Sequence, residues 1–485
     1  MSLTRDLAHT DAAQQEYSRE RIAHWDRVGA TSDGQPDLSH GYHQRLIQIY
    51  QGLVQPKQRV LEIGCGQGDL LAALDPSFGV GVDFSQEMIR RGTRQHPDLC
   101  FIQADAHALD LGEPFDVVIL SDLVNDLWDV EMALRQIKRM TSPRSRLILN
   151  FYSRVWELPL TLARALRLAK PLLEQNWLTM EDVGNLLRLA DFEVTRHWSE
   201  VLLPISIQPF AGIANRYLSH VWPTELAALT HFVVARPSSP PEPEDTEPLV
   251  SVVVPARNES GNIQAIFDRT PKMGRGTELV FVEGHSTDDT FATIQAEIGR
   301  HPDWHCQLLQ QVGKGKGDAV RLGFERARGD VLMILDADLT VAPEDLPRFL
   351  DALQSGKGEF INGVRLVYPM EKQAMRFFNL LGNKLFSLAF SWLLGQSIKD
   401  TLCGTKVLSK SDYERIAAQR AYFGDFDPFG DFDLLFGAAK LNLKIIDLPI
   451  RYRERTYGTT NIQRWRHGWL LMQMVLFAAR RIKFV

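Results

Sequence analysis

A glycine-rich turn in the first half of the chain stands among acidic residues that could bind a nucleoside. A predicted strand at residues 60–63 runs directly into the sequence GCGQG, and a helical pattern starts at Asp69. Glycines let the backbone turn tightly and approach a ligand. Asp83 ends a second predicted strand, where a carboxylate can accept hydrogen bonds from both ribose hydroxyls, and Asp105 follows a third. Taken alone, such a turn could also be a purely structural corner between strand and helix.

Acidic residues at strand ends in the second half could bind a nucleotide and a divalent metal ion. The strand LVSVVVP leads to Glu259, and the next predicted strand ends in Glu283. The sequence VLMILDADLT places Asp336 and Asp338 just past another strand, and hard carboxylate oxygens suit Mg²⁺ or Mn²⁺. An isolated pair of this kind is more often a solvated turn, so its meaning depends on the motifs around it.

The elements that must position these residues are β-strands alternating with helices in both halves. This alternation predicts two α/β domains, each a mostly parallel sheet covered by helices, with ligands at the carboxyl ends of the strands. Between them, residues 236–248 read RPSSPPEPEDTEP, with five prolines and four acids. Such composition predicts an extended linker. We therefore predict domains at residues 1–235 and 249–485, joined by a linker at 236–248.

Composition and charge describe an ordinary globular protein. The chain has 485 residues, 54 Lys and Arg against 60 Asp and Glu, and a net charge of −6. The mild acidity argues against a general nucleic-acid binder. Its four cysteines are widely spaced, the N-terminus lacks an apolar signal region, and the apolar stretches 385–394 and 469–479 are short. We therefore expect free thiols, a cytoplasmic location and no membrane-spanning helix.

Four segments of the first half, in order, carry a family resemblance. LEIGCGQGDL, GVDFSQEMI, QADAHAL and FDVVIL resemble the class I S-adenosylmethionine-dependent methyltransferases over residues 45–235. The resemblance implies a Rossmann-like fold and S-adenosylmethionine as cofactor, with Glu62 beside the methionine end, Asp83 at the ribose and Asp105 at the adenine amino group. The residues expected to bind the cofactor are Glu62, Gly64, Gly66, Gly68, Asp83, Phe84, Asp105 and Ala106.

The base for methyl transfer is left unassigned. In-line displacement from a sulfonium mainly requires alignment of the acceptor and exclusion of water, so a base is optional. Polar residues after the fourth and fifth predicted strands are candidates, although we favour structural roles for them as caps and turns. These candidates are Ser121, Asp122, Asn125, Asn150 and Tyr152.

The second half carries a resemblance of its own. PARNESGNI, VEGHSTDDT, GKGDA, DADLT, CGTK and RYRERTYGTTNI resemble the family 2 glycosyltransferases of GT-A fold, and most of all the polyprenyl-phosphate sugar synthases. The resemblance implies that Asp336 and Asp338 coordinate Mg²⁺ or Mn²⁺. The residues expected to bind the nucleotide sugar, some through phosphate charge, are Pro255, Glu259, Glu283, Lys316, Asp336, Arg453 and Arg455.

The acceptor decides whether glycosyl transfer needs a base. A hydroxyl acceptor would be helped by Asp431 or Asp433, either of which could instead cap a helix, whereas a phosphate acceptor is already ionised. Two departures weaken the lipid-phosphate assignment: Thr340 stands where a Gln often follows DAD, and Asn461 stands where that branch usually has Lys.

The C-terminal segment, residues 451–485, contains eight Lys or Arg and one Glu interleaved with large apolar residues. It could lie on an anionic membrane surface, or pack on its own domain or a second subunit, and we weigh these interpretations equally.

We predict a bifunctional transferase that joins methyl transfer to inverting, metal-dependent glycosyl transfer, in biosynthesis of a surface glycan or glycolipid. Its predicted partners are a nucleotide sugar donor and a glycan or polyprenyl-phosphate acceptor. One alternative is a polyprenyl-phosphate glycosyltransferase whose methyltransferase acts on an unrelated small molecule. Another is that one domain survives only as a cofactor-binding scaffold.

Overall fold

The computed structural model describes residues 3–31, 40–165, 173, 175–203, 210–238, 247–365, 367, 377–420, 431–453, 455, 457 and 464–484. Its backbone divides into two compact units, Met1–Ser239 and Pro240–Lys483. Within the described residues, no helix combines the length and the apolar character that crossing a bilayer requires.

The first unit is built on a seven-stranded sheet of order β3-β2-β1-β4-β5-β7-β6. Strands β1 to β5 run parallel, and β7 pairs antiparallel with both β5 and β6. The strands are β1 (Arg59–Ile63), β2 (Phe78–Asp83), β3 (Cys100–Gln103), β4 (Phe115–Ser121), β5 (Thr141–Tyr152), β6 (Phe192–Glu200) and β7 (Thr230–Pro237). Strand β7 extends two residues into the segment predicted as linker.

Helices of the first unit begin where short polar side chains cap them. Ser85 accepts a hydrogen bond from the Met88 N–H at the start of α4, and Asp129 does the same for Met132 at the start of α5. The helices are α1 (Leu3–Thr31), α2 (His40–Leu53), α3 (Asp69–Ala73), α4 (Gln86–Gln95), α5 (Val130–Arg139), α6 (Glu157–Ala165), α7 (Met180–Leu189) and α8 (Phe210–Tyr217).

The second unit contains another seven-stranded sheet, of order β10-β9-β8-β11-β13-β12-β14. Strands β8 to β11 are parallel, whereas β13 is antiparallel to both of its neighbours. The strands are β8 (Leu249–Ala256), β9 (Gly276–Glu283), β10 (His305–Gln310), β11 (Val331–Ile334), β12 (Phe360–Val364), β13 (Lys406–Ser409) and β14 (Ile445–Pro449).

Helices cover this second sheet and bury its apolar strands. Strand β11, for example, is buried at all four residues, as expected of a central strand covered on both faces. The helices are α9 (Ile263–Arg269), α10 (Thr290–Arg300), α11 (Lys316–Arg326), α12 (Leu346–Gln354), α13 (Phe377–Leu394), α14 (Lys410–Ala418), α15 (Asp431–Lys440) and α16 (Arg464–Ala478).

The predicted α/β class is confirmed: the chain folds into two α/β units with mixed sheets, and the first unit has a Rossmann-like strand order. In both units the acidic residues singled out by the sequence stand at the carboxyl ends of parallel strands. Asp83 ends β2, Glu283 ends β9, and Asp336 comes two residues after β11. Each sheet therefore collects its candidate site at one edge.

Candidate functional site

The turn after β1 has the backbone that its glycines predict. Gly64, Gly66 and Gly68 all have positive φ, at 74°, 52° and 80°. A Cβ at Gly68 would lie 2.5 Å from the Phe101 ring, so a side chain there would collide with the packing. A Cβ at Gly66 would meet nothing within 4 Å, so the backbone there is open to the approach of a ligand.

Asp83 fastens this turn to the end of β2. One carboxylate oxygen, Oδ2, accepts the backbone N–H of Gly66 at 2.9 Å, and Oδ1 accepts that of Ser85 at 2.8 Å. Burial raises the pKa of Asp83 to about 6, although the backbone hydrogen bonds oppose the shift. Asp83, which we predict to bind the ribose, therefore also holds the glycine turn in place.

Asp105 lies just beyond β3 and is held by His107. Its Oδ1 accepts the backbone N–H of His107 at 2.9 Å and lies 2.6 Å from the ring Nδ1 of the same residue. The hydrogen bond from the ring lowers the pKa of Asp105, against the effect of burial. The carboxylate is therefore charged and oriented at neutral pH.

Glu62 is the most unusual acid of the first unit. It is 3% exposed, and its Oε2 has no hydrogen-bond partner among the described residues. Burial raises the pKa of Glu62 to about 8. A buried carboxyl oxygen without a partner is costly, and a cationic ligand group beside it would relieve that cost.

A cavity of about 270 Å³ gathers many of the predicted cofactor residues. Gly64, Asp83, Phe84, Asp105 and Ala106 line it, whereas Glu62, Gly66 and Gly68 do not belong to its lining. Sequence reasoning missed the rest of the wall. Much of it comes from α1 and from the segment after β4, namely Tyr17, Ser18, Arg21, Ile22, Leu123, Asp126, Leu127 and Trp128. The remaining lining residues are Ile63, Val82, Gln103, Ala104 and His107.

Helix α1 is attached to this cavity by polar contacts. The buried Arg21 guanidinium lies 3.4 Å from the centre of the Tyr17 ring, with its Nε 3.9 Å from Asp126. Further along the helix, the Asp26 carboxylate accepts a hydrogen bond from the Ser85 hydroxyl at 2.5 Å. In the sequence, these residues stand in a charged N-terminal segment with no motif to mark them.

Two of the polar residues considered as bases in the first unit, Asp122 and Asn150, are hydrogen-bonded to each other and to buried tyrosines. The carboxylate of Asp122, at a φ of 54°, accepts hydrogen bonds from the Tyr42 hydroxyl and the Asn150 amide. Asn150 accepts in turn from the Tyr50 hydroxyl at 2.7 Å. Burial raises the pKa of Asp122 to about 7. These bonds support the structural interpretation of the cluster.

Asn125 likewise connects segments of the chain. Its Oδ1 accepts the backbone N–H of Tyr152 at 2.9 Å, and its amide donates to the carbonyl of Asn176 at 2.7 Å. With both ends of the side chain engaged, Asn125 anchors the residues after β4 to the end of β5 and to the segment before α7.

In the second unit, Asp336 forms an ion pair with Lys316 at the start of α11. The Lys316 Nζ lies 2.6 Å from Asp336 Oδ1. Burial opposes ionisation, but the neighbouring Lys316 charge holds the pKa of Asp336 below its ordinary value. A Cβ at Gly404 would overlap both groups, so a side chain at this position would displace the ion pair.

Asp338 and Glu259 share one cation, Arg455. The guanidinium lies 2.6 Å from Asp338 Oδ2 and 3.2 Å from Glu259 Oε1, joining residues distant in sequence. Burial raises the pKa of Glu259 to about 7, against the effect of Arg455. Nearby, the Tyr457 hydroxyl lies 3.0 Å from the Ser260 hydroxyl, so Arg455 and Tyr457 both contact residues that follow β8.

Other predicted residues of the second unit are placed less tightly around this edge. Pro255 is half-buried near the end of β8, and the carboxylate of Glu283 accepts the Ser286 N–H at 2.5 Å. Arg453 has an exposed side chain, and its backbone N–H donates to the Thr340 carbonyl at 2.9 Å.

The two candidate bases of the second unit differ in what can be said of them. Asp433 is 6% exposed, and its Oδ2 lies 3.0 Å from Arg420 Nε and 3.7 Å from Arg321 Nε. Both cations hold the carboxylate in place within α15. The side chain of Asp431 and the whole of Asn461 lie outside the described residues.

The described residues contain no group of three or more His, Cys, Asp and Glu side chains placed to hold a metal ion. The pair Asp336 and Asp338 nevertheless has the oxygen chemistry that Mg²⁺ and Mn²⁺ prefer. Each of the two carboxylates forms an ion pair with a cationic side chain, Lys316 for Asp336 and Arg455 for Asp338. A bound metal ion would replace these side chains as the positive charge that neutralises the carboxylates.

Two family models match the chain, one in each unit. Residues 60–144 match a methyltransferase domain, and residues 251–416 match glycosyl transferase family 2. The first unit therefore carries a methyltransferase domain and the second a family 2 glycosyltransferase domain, in agreement with both resemblances. The matched ranges contain Glu62, Asp83 and Asp105 in one case and Glu259, Asp336 and Asp338 in the other.

Among curated relatives, the chain is 28% identical over 239 residues to the low-salt glycan biosynthesis hexosyltransferase Agl6 of Haloferax volcanii, covering 48% of this chain and 55% of that protein. It is 27% identical over 246 residues to a dolichol-phosphate mannosyltransferase of Pyrococcus furiosus, covering 48% and 67%. The chain thus spans about half the length of the first relative.

One solved structure to which the first unit is similar is magnesium protoporphyrin IX methyltransferase from Synechocystis with bound SAH. The identity is 18%, the TM-score is 0.33, and the match covers 47% of this chain and all of that one.

Proposed function

For a chain that joins a methyltransferase domain to a family 2 glycosyltransferase domain, we propose two activities. The first is methyl transfer from S-adenosylmethionine. The second is metal-dependent, inverting transfer of a sugar from a nucleotide sugar to polyprenyl phosphate or a glycan carried on it, in glycan or glycolipid biosynthesis. The domains would span residues 1–235 and 249–485. The observation that carries the proposal is that each matched family range places its acids at the carboxyl ends of the parallel strands of its sheet.

The cofactor fits the first unit. S-adenosylmethionine supplies an electrophilic methyl group when bound, and Asp83, Asp105 and the glycine turn would hold its adenosine part. The unpartnered oxygen of buried Glu62 suits the ammonium of the methionine part. Helix α1 closes one side of the cavity with Tyr17 and Arg21, and exclusion of water there would protect the reacting groups.

The second unit supplies charge for departure of a nucleoside diphosphate. Asp336 and Asp338 would hold Mg²⁺ or Mn²⁺, which stabilises negative charge on the leaving phosphates. Release of their ion pairs would free Lys316 and Arg455 to meet the diphosphate oxygens. Glu259 and Glu283 stand at neighbouring strand ends, where they would border the nucleoside.

A phosphate acceptor is favoured by the names of the relatives, which include a dolichol-phosphate mannosyltransferase and an undecaprenyl-phosphate 4-deoxy-4-formamido-L-arabinose transferase. Such an acceptor is already ionised and attacks without a general base. Asp431 and Asp433 would be needed as bases only for a hydroxyl acceptor. A lipid-linked acceptor also suits a cytoplasmic protein that contacts the membrane through its basic C-terminal segment.

Paired substitutions test both activities in the full chain. S-adenosylhomocysteine and, with Mn²⁺, nucleoside diphosphates are titrated calorimetrically, and labelled sugar transfer to undecaprenyl phosphate is measured with the matching donors. Asp83→Ala should abolish binding of S-adenosylhomocysteine and leave nucleoside diphosphate binding intact. Asp336→Ala should abolish nucleoside diphosphate binding and leave S-adenosylhomocysteine binding intact. Each variant is the control for the other. Wild-type protein that binds neither ligand would refute the proposal, and a live site in only one unit would leave the other as a scaffold.

A further inference from the structure

The contacts of Asp105 point to a residue that is not among the predicted cofactor-binding residues. Both hydrogen bonds to this carboxylate come from His107, one from the backbone and one from the ring, and both reach the same oxygen, Oδ1. The other oxygen, Oδ2, accepts no hydrogen bond from the described residues. Asp105 lines the cavity with a side chain that is 44% exposed, so it has one fixed oxygen and one oxygen available to a ligand.

The far side of the His107 ring determines its tautomer. The ring is buried, and its Nε2 lies 3.1 Å from the backbone nitrogen of Asp129. A backbone N–H can only donate, so Nε2 must accept and carries no proton. The neutral ring then has its proton on Nδ1, which donates to Asp105.

Asp129 is itself immobilised, because its side chain caps α5 by accepting the Met132 N–H at 2.9 Å. A continuous chain of hydrogen bonds therefore runs from the N-terminus of α5 through the His107 ring to Asp105. It fixes the orientation of a cavity carboxylate against a rigid helix.

We propose that His107 is a positioning residue that sets Asp105 Oδ2 to accept the exocyclic amino group of the adenine of S-adenosylmethionine. The inference rests on the proposed binding of that cofactor and deepens it: it assigns part of the discrimination between adenine and a deaminated purine to a residue that acts through Asp105. Loss of the ring donor would let the carboxylate rotate and would weaken this discrimination.

Substitutions that keep or remove the Nδ1 donor test the inference. In His107→Asn the side-chain amide can donate from nearly the same position, whereas His107→Leu fills the space without a donor. His96→Leu is the matched control, because it removes a half-buried histidine that pairs with Asp69 at 3.0 Å on the same unit. Dissociation constants are measured by calorimetry for S-adenosylhomocysteine and for its inosine analogue, which lacks the amino group.

The readout is the ratio of the two dissociation constants. A charge-assisted hydrogen bond corresponds to discrimination of about 10-fold or more, and we expect His107→Leu to lose most of that ratio. His107→Asn and His96→Leu should keep it.

A purely structural role for His107 would weaken both ligands equally and leave the ratio unchanged, and that result in a folded His107→Leu protein overturns the inference. If His107→Leu does not fold, His107→Asn and Asp105→Ala provide the test. A ratio of the two dissociation constants in His107→Asn that is as low as the ratio in Asp105→Ala would show that restoring the donor does not restore discrimination, and it would overturn the inference. Failure of the wild-type protein to bind S-adenosylhomocysteine would instead overturn the proposed methyltransferase function, and the role of His107 with it.

Discussion

Replacing Glu62 by Gln should stabilise the first unit, and increasingly so as the pH rises. The ordinary pKa of this carboxyl is 4.5, and burial raises it to about 8 in the folded protein. An acid with a raised folded pKa ionises first in the unfolded chain, so folding stability falls between these two values as pH increases. Glutamine has similar shape, keeps an oxygen for the backbone of Leu71, and never ionises.

The magnitude follows from the two pKa values. The cost of keeping Glu62 neutral in the folded state is about 2 kcal/mol at pH 6 and about 4 kcal/mol at pH 8. The stability gain of Glu62→Gln should therefore grow by about 2 kcal/mol between these conditions. Above the folded pKa the gain levels off, since both states of the wild-type protein are then ionised.

The assay is urea unfolding at both pH values, read by pulsed hydrogen exchange of peptides that contain β1, so that the first unit is followed separately. Glu181→Gln, an exposed acid on α7, is the matched control and should show no growing gain. A gain in stability from Glu62→Gln that is equal at pH 6 and pH 8 would refute the reasoning.

In the wild-type protein, S-adenosylhomocysteine binding at pH 7 should release a proton, because the ligand ammonium favours charged Glu62. Calorimetry in buffers of different ionisation enthalpy detects this release.

Three further outcomes are expected in the second unit. Arg455→Ala should raise the affinity for Mn²⁺ alone several-fold, because the guanidinium no longer competes with the metal ion for Asp338. The same variant should lower the affinity for the Mn²⁺-nucleotide complex. Calorimetry measures both affinities, and equal weakening of the two would contradict the ion-pair argument. Asp433→Asn should destabilise the unit by about 3 kcal/mol in urea unfolding, because it removes the buried negative charge that pairs with both Arg420 and Arg321. Gly404→Ala should abolish Mn²⁺-nucleotide binding without unfolding the protein, because its Cβ overlaps the metal-binding carboxylate; unchanged binding would contradict the predicted crowding.

Much of the fold could be predicted from local pattern. Alternation of β-branched runs with helical periodicity reports directly on backbone geometry and burial, and it predicted two α/β units with acids at strand ends. The backbone of the turn at residues 64–68 was also predictable, because closely spaced glycines indicate positions with positive φ, which most other residues avoid. The final strand of the first unit extended into the predicted linker because pairing with β6 continues to Pro237, a contact between distant segments.

The contacts that complete each candidate site were decided only by tertiary structure. Tyr17 and Arg21 line the cofactor cavity although they lie far from the glycine turn in sequence, and Arg455 reaches Asp338 from near the other end of the chain. The sequence by itself determined residue types, strand ends and the glycine backbone, because these depend on neighbours along the chain. Which helix closes the cavity, which backbone N–H fixes the His107 ring and which cations neutralise the acids depend on packing between segments distant in sequence, and no local periodicity records that packing.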